Sequence, residues 1–394
     1  MSDLAVHPER AARAFDFDVA DHPFINGPEP HGGLLELNAR TPEIFYSRHQ
    51  DGAWIARSYE AIYGILQDPE LFRSGGRLTY LLPIDANPPE HAAYRRVLLQ
   101  AFSPKNVNAM LPMIQSMAID LIDRIVPLGH CEFVRDVAEP MPVTVLLTMM
   151  GVPTDLLRPL RILVLKAIGA AANDPLNAKE NFDKLLEILD PIIRDRMVAP
   201  QQDMISHIVR AEVDGRTLTF EEVQSYVLLL VSAGLDTVVN AMSFAAKHLA
   251  GDLELQRRLR AQPELMDAAV EEFLRRYAPS TIRRRVTRDT EYRGVKMKAG
   301  DSVILLLAAG NLDAETFPDP GAISLERRNA SITFGTGIHR CLGSHLARLE
   351  MNAVLAEFLA RVPEFEIDPD HTTRVHPGIV YTVDELWLRW APPA

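Results

Sequence analysis

Residues 334–343 read Phe334-Gly335-Thr336-Gly337-Ile338-His339-Arg340-Cys341-Leu342-Gly343, and the stretch that follows is helical in pattern, with Leu346, Leu349 and Ala353 on one face. Three glycines surround a single thiol, so the backbone can turn tightly about it where residues with a Cβ would resist. A cysteine just ahead of a helix meets free N–H groups and the positive end of the helix dipole, and both favour thiolate over thiol. A lone cysteine is more often a small buried hydrophobe. Here the aromatic, the glycines and the histidine at fixed distances set it apart.

Outward from this loop the chain reads as helical. The most apolar helix opens at Thr219 with Glu222 three residues on, a capping-box pattern. It runs to Leu249 before Gly251, about 30 residues and ~45 Å if unbroken. From Val227 to Val239 it is apolar nearly all round, the mark of a buried central helix. In its middle lies Ala233-Gly234-Leu235-Asp236-Thr237. A Thr hydroxyl there can bond the carbonyl one turn back, on Ala233, and open a groove in the helix. Ser103-Pro104 starts another helix, with Val107, Leu111, Ile114, Met117, Leu121 and Ile125 on one face. Further helices are predicted near 154–172, 178–198 and 202–213. Strand signals are short: Ala53–Arg57, Tyr292–Leu307 and Val380–Leu388. Residues 1–35 read as an extended, irregular lead-in. No linker divides the 394 residues, so a single, mainly α domain with small β-sheets is predicted over 1–394.

A net charge of −12 argues against nucleic acid and acidic membrane surfaces as partners. Two cysteines, Cys131 and Cys341, are too few for a disulfide framework or a four-thiolate zinc site. No apolar leader is seen in the first 35 residues, and Val227–Val231 and Val143–Val152 fall short of a membrane span of ~20 residues. A soluble, cytoplasmic protein is expected.

The signature Phe-Gly-x-Gly-x-His-x-Cys-x-Gly, filled at every fixed position, resembles the haem-binding loop of the cytochromes P450, and a thiolate held by backbone donors under an aromatic ring suits haem iron. Four further segments occur in that family's order: Pro88-Pro89-Glu90-His91-Ala92-Ala93-Tyr94-Arg95-Arg96, the Gly-Leu-Asp-Thr of the central helix, Glu272-Phe273-Leu274-Arg275, and Phe317-Pro318-Asp319-Pro320. The resemblance spans roughly residues 50–390. It implies one triangular helical domain with a long helix crossing over haem b, and Cys341 as the axial ligand. Asp236 and Thr237 would deliver protons to dioxygen. Cofactor contacts would come from His91, Arg95, His339, Phe334, Gly335, Gly343, Ala233 and Gly234, with a propionate arginine at Arg284, flanked by Arg283 and Arg285. Glu272, Arg275 and Arg327, with Arg328 adjacent, would form a buried structural cluster.

Within the family the central helix and Gly378-Ile379-Val380 are similar to the bacterial camphor-hydroxylating branch. That layout lines a pocket with Thr79, Tyr80, Leu81, Leu82, Leu229, Ser232, Ala233, Thr237, Ser280, Ile282, Ile379 and Val380. Such a lining takes a compact apolar ligand held by one or two hydrogen bonds. The resemblance therefore implies a monooxygenase acting on a terpenoid or norisoprenoid with O2. A peroxide-driven peroxygenase and a non-catalytic haem sensor or carrier are the alternatives. With no flavin or nicotinamide fingerprint in the chain, electrons would come from a [2Fe-2S] ferredoxin and its reductase. Arg95, Arg96, Arg340 and Arg348 would steer that acidic partner.

Overall fold

A computed structural model describes residues 8–75, 79–170 and 174–391. Helices dominate and the strands are short. The Thr219 capping box forms as predicted: Glu222 N–H donates to Thr219 Oγ1 at 3.2 Å, and Thr219 N–H donates to Glu222 Oε2 at 2.8 Å. The helix it starts is not continuous. One segment, Phe220–Gly234, ends at the glycine, and a second, Thr237–Gly251, begins after a two-residue break in which Asp236 leaves helical geometry. Val223, Tyr226, Val227 and Val231 on the first half, and Val239, Met242 and Phe244 on the second, are buried. Each such side chain removed from water contributes roughly 1.5–3 kcal/mol. By length and composition Phe220–Gly251 is the one span among the described residues that could cross a membrane, but 72% of its most apolar window is buried in the protein. It is a core helix.

Helices Met266–Arg276 and Ser344–Arg361 pack beside its second half, and Pro175–Val198 beside its first. To one side lies a five-stranded sheet in the order Ile44–Ser47, Ala53–Ala56, Ser302–Leu306, Thr281–Val286, Phe72–Arg73. Only the pairing of Ser302–Leu306 with Ala53–Ala56 is parallel. A three-stranded sheet joins Phe365–Ile367, Trp387–Trp390 and His130–Glu132.

Several elements differ from the sequence reading. The lead-in is irregular only over 13–29: Pro8–Ala12 is helical, and Pro30–Arg40 is a helix that buries Leu34 and Leu37. Its apolar face is hard to see because Gly32-Gly33 interrupts it, and Gly33 is where the Phe24 backbone crosses so closely that a Cβ would overlap its carbonyl. Residues 1–7 lie outside the described residues. The helix expected from Ser103 is two, Pro104–Asn108 and Leu111–Ile125. That expected over 202–213 stops at Val209, and Glu212–Val213 pairs with Arg216–Thr217 about Asp214-Gly215. Both turn residues have positive φ, the two-residue hairpin that an Asp-Gly pair favours.

Candidate active site

The cysteine loop leads into the helix Ser344–Arg361. Cys341 N–H donates to the Phe334 carbonyl at 2.9 Å and Gly335 N–H to the Ile332 carbonyl at 2.8 Å, closing the loop on itself. Gly337 sits at φ +67° against the Leu66 carbonyl, where a Cβ would collide. The Phe334 ring lies beneath the Arg348 guanidinium at 4.5 Å. Burial pushes the Cys341 thiol up, and the Gly343 N–H with Arg95, Arg340 and Arg348 offsets this only in part. A haem iron bound at this thiol would stabilise the anion against that burial.

A cavity of about 330 Å³ connects Cys341 to the break in the central helix. From the predicted residues it takes Cys341, Phe334, His339, Gly343 and Arg95 on one side and Leu229, Ala233, Gly234 and Thr237 on the other, with Ser280 and Ile282 at the edge. Thr237 Oγ1 donates to the Ala233 carbonyl at 3.1 Å, the bond the spacing predicts. Asp236 is 1% exposed and stands behind Thr237, outside the lining. Burial raises its carboxyl above the usual range, against the pull of Arg161, whose Nη2 lies 3.5 Å away. The same guanidinium meets Glu139 at 3.0 Å.

At one end of the cavity His91, Arg95, Arg284 and His339 come together. The rings of His91 and His339 stand 4.4 Å apart, and Nε2 of each is buried without a hydrogen-bond partner. Burial, then Arg284, His91 and Arg95, push His339 down to about 3. Burial lowers Arg284 to about 10, with Asp85 opposing. Strand alternation turns Arg284 inward, while Arg283 reaches Gln50 at 3.4 Å and Arg285 the Gly300 carbonyl at 3.3 Å. Two guanidiniums crowded with two imidazoles whose Nε2 atoms are orphaned match the carboxylates of a flat group seated over Cys341. The residues present therefore fit a propionate-bearing haem.

Seven pocket predictions are corrected. Thr79, Tyr80, Leu81 and Leu82 do not line the cavity; Pro83 and Ile84 of the same loop do. Tyr80 is 52% exposed with its hydroxyl 3.4 Å from Glu90, and Leu82 is buried in the core. Ser232 lies outside the lining, with its buried hydroxyl unpartnered. Ile379 and Val380 also stand outside it: the Ile379 carbonyl accepts the Thr281 N–H at 2.9 Å, and Val380 bridges to Ser280. They buttress the wall from behind. Gly335, His91 and Arg284 likewise support the lining without forming it.

Sequence reasoning missed Glu350. It is buried in the cavity wall, with Oε1 unpartnered, and burial pushes it up to about 8. An acid one turn after Leu346, within an apolar stripe, was the available signal. Arg161 and Glu139 carry no such mark. The Glu272–Arg275 pair is buried, and Arg327, not Arg328, joins it, with Nε 3.1 Å from Glu272.

The family model described as cytochrome P450 matches residues 176–379. A probable cytochrome P450 127A1 of Sinorhizobium fredii is 32% identical over 383 residues, covering 94% of this chain and 92% of that one. A steroid C26-monooxygenase of Mycolicibacterium smegmatis is 30% identical over 348 residues, covering 84% and 86%. The crystal structure of CYP101J2 superposes with a TM-score of 0.87 at 34% identity, covering 97% of this chain and 98% of that one. That of CYP101C1 gives 0.88 at 31%, with the same coverage.

Proposed function

The chain belongs to the cytochrome P450 family, monooxygenases that bind haem b through a thiolate, and on that premise we propose that it hydroxylates a compact apolar molecule, a terpenoid or norisoprenoid. Bound haem supplies the oxygen-activating chemistry. The chain's part is to bind, orient, exclude water and move protons. Cys341 would hold the haem iron through its thiolate, His91, Arg95, Arg284 and His339 would hold the propionates, and Phe334, Gly335, Gly343, Ala233 and Gly234 would pack about the ring. Thr237 and Asp236 relay protons at the helix break, Asp236 exchanging its proton through a raised carboxyl that Arg161 holds loosely.

The observation that carries the substrate reading is the cavity wall. Pro83, Ile84, Leu229, Leu230, Val238 and Ala241 make much of it aliphatic, beside the hydroxyls of Thr237, Ser280 and Thr333. The arginines of the lining, Arg95 and Arg340, stand together at the cysteine-loop end, where Arg95 donates to the Arg340 carbonyl. The likeness to CYP101 structures supports the camphor branch. Arg96 and Arg340 are exposed beside the cysteine loop, whereas Arg348 is paired with Glu271, so a smaller basic patch than the sequence count serves an acidic ferredoxin.

Titrating the ferric protein with camphor, cineole, ionones, fatty acids and small aromatics, while watching the Soret band, tests the substrate class. A low-to-high-spin shift with the terpenoids and ionones supports it; a shift confined to fatty acids or aromatic acids rejects it.

A further inference from the structure

The Ser225 hydroxyl, on the first half of the central helix, grips one loop twice. It donates to the Tyr80 carbonyl at 2.7 Å and accepts the Leu82 N–H at 2.7 Å. The loop is also closed on itself: Leu81 N–H donates to Asp85 Oδ2, and Asp85 N–H to the Leu81 carbonyl, both at 2.9 Å. Asn87 Nδ2 ties it off at the Asp85 and Ser74 carbonyls, each 2.9 Å away. Two peptides held by a single oxygen fix the rotation of everything between them. The consequence is visible on each side chain. Tyr80 turns out to Glu90, Leu82 enters the core, and Pro83 with Ile84 reaches the cavity.

We propose that Ser225 is the positioning residue that decides which face of loop 80–85 meets the cavity, and so sets the preference for compact aliphatic ligands over bulky ones. It does not line the cavity and acts through Pro83 and Ile84. The wall it fixes is hydrocarbon, so a ligand is selected there by shape and not by a hydrogen bond. This rests on the proposed function in one respect, that the cavity receives the substrate. Alanine at 225 leaves the buried Leu82 N–H and the part-buried Tyr80 carbonyl without this partner, and the loop must move to hydrate them. Threonine keeps an oxygen at the same position.

The test needs no knowledge of the substrate. Haem-loaded wild type, Ser225→Ala, Ser225→Thr and Ile84→Ala are titrated with imidazole and with clotrimazole, two nitrogen ligands for iron of very different bulk, and amide exchange is followed over 80–85. Ser225→Ala should bind imidazole as wild type does, showing an intact haem site, while its clotrimazole-to-imidazole affinity ratio rises about tenfold. Exchange over 80–85 should quicken, and Ser225→Thr should restore both readouts. Ile84→Ala, which widens the wall directly, should raise the ratio without freeing the loop. An unchanged ratio in both alanine variants, or unchanged exchange in Ser225→Ala, overturns the proposal. Terpenoids that leave the wild-type spectrum unmoved while the azole ratio shifts would defeat the substrate reading and leave the latch standing.

Discussion

Two buried carboxylates in this protein are each met by arginine, and they are held in opposite ways. Glu272 accepts two bonds from Arg275 at 2.8 and 3.0 Å, one from Arg327 and one from the Ser324 N–H at 2.9 Å. Arg275, 1% exposed, sends its other donors to the carbonyls of Asn311, Pro320 and Ala322. Burial pushes Glu272 up, but this shell wins and holds it below the usual range. Asp236 has Arg161 at 3.5 Å, and that guanidinium leans on Glu139 and leaves its Nε unpartnered. Here burial wins and the carboxyl rises. A fully answered charge makes a rigid joint. A half-answered one can change its protonation without unfolding its surroundings, which is what a proton relay requires.

The comparison can be broken at several points. Arg275→Ala should cost about 3–5 kcal/mol, because it strands a buried carboxylate, with loss of haem seen on denaturant titration. Arg161→Ala should cost much less, since Asp236 can take up a proton instead; equal losses would erase the distinction. Asp236→Asn should lower turnover about 100-fold, within the span general acid–base groups contribute, and leave ligand-induced spectral shifts intact. Arg161→Ala removes a charge that lowers the Asp236 carboxyl, so the acidic limb of the turnover–pH profile should move to higher pH.

The smallest effects concern stability against pH. Glu272, depressed in the fold, stabilises above its unfolded pKa of about 4.3, and that stability is lost as pH falls through the lower folded value. Glu350 has the opposite sign. Held protonated up to about 8, it makes the fold lose stability as pH rises from its unfolded value toward 8, by at most about 1.4 kcal/mol per unit. Denaturation of the haem-loaded protein between pH 5 and 8 should show a shallower slope in Glu350→Gln.

What was legible in the sequence follows how local each feature is. The cysteine loop, the capping box at Thr219 and the Thr237-to-Ala233 bond are set within a few residues, so their pattern is their geometry. The inward turn of Arg284 is strand alternation, legible once the register with Val303 is known. The wall around Tyr80 was misread because its direction is dictated from Ser225, 145 residues away. Arg161 was missed for the same reason: nothing beside it in the chain says that it faces Asp236. Asp214-Gly215 was a local signal passed over because the helical period around it was read too far.

The most direct test is turnover of the haem-loaded protein with a terpenoid that shifts its spectrum, a [2Fe-2S] ferredoxin, its reductase, NADH and 18O2, comparing wild type with Asp236→Asn. The account predicts a hydroxylated product carrying one labelled oxygen, formed far more slowly by the variant with binding unchanged. Product that forms faster from added peroxide and lacks the label, or no product with any ferredoxin, would contradict it.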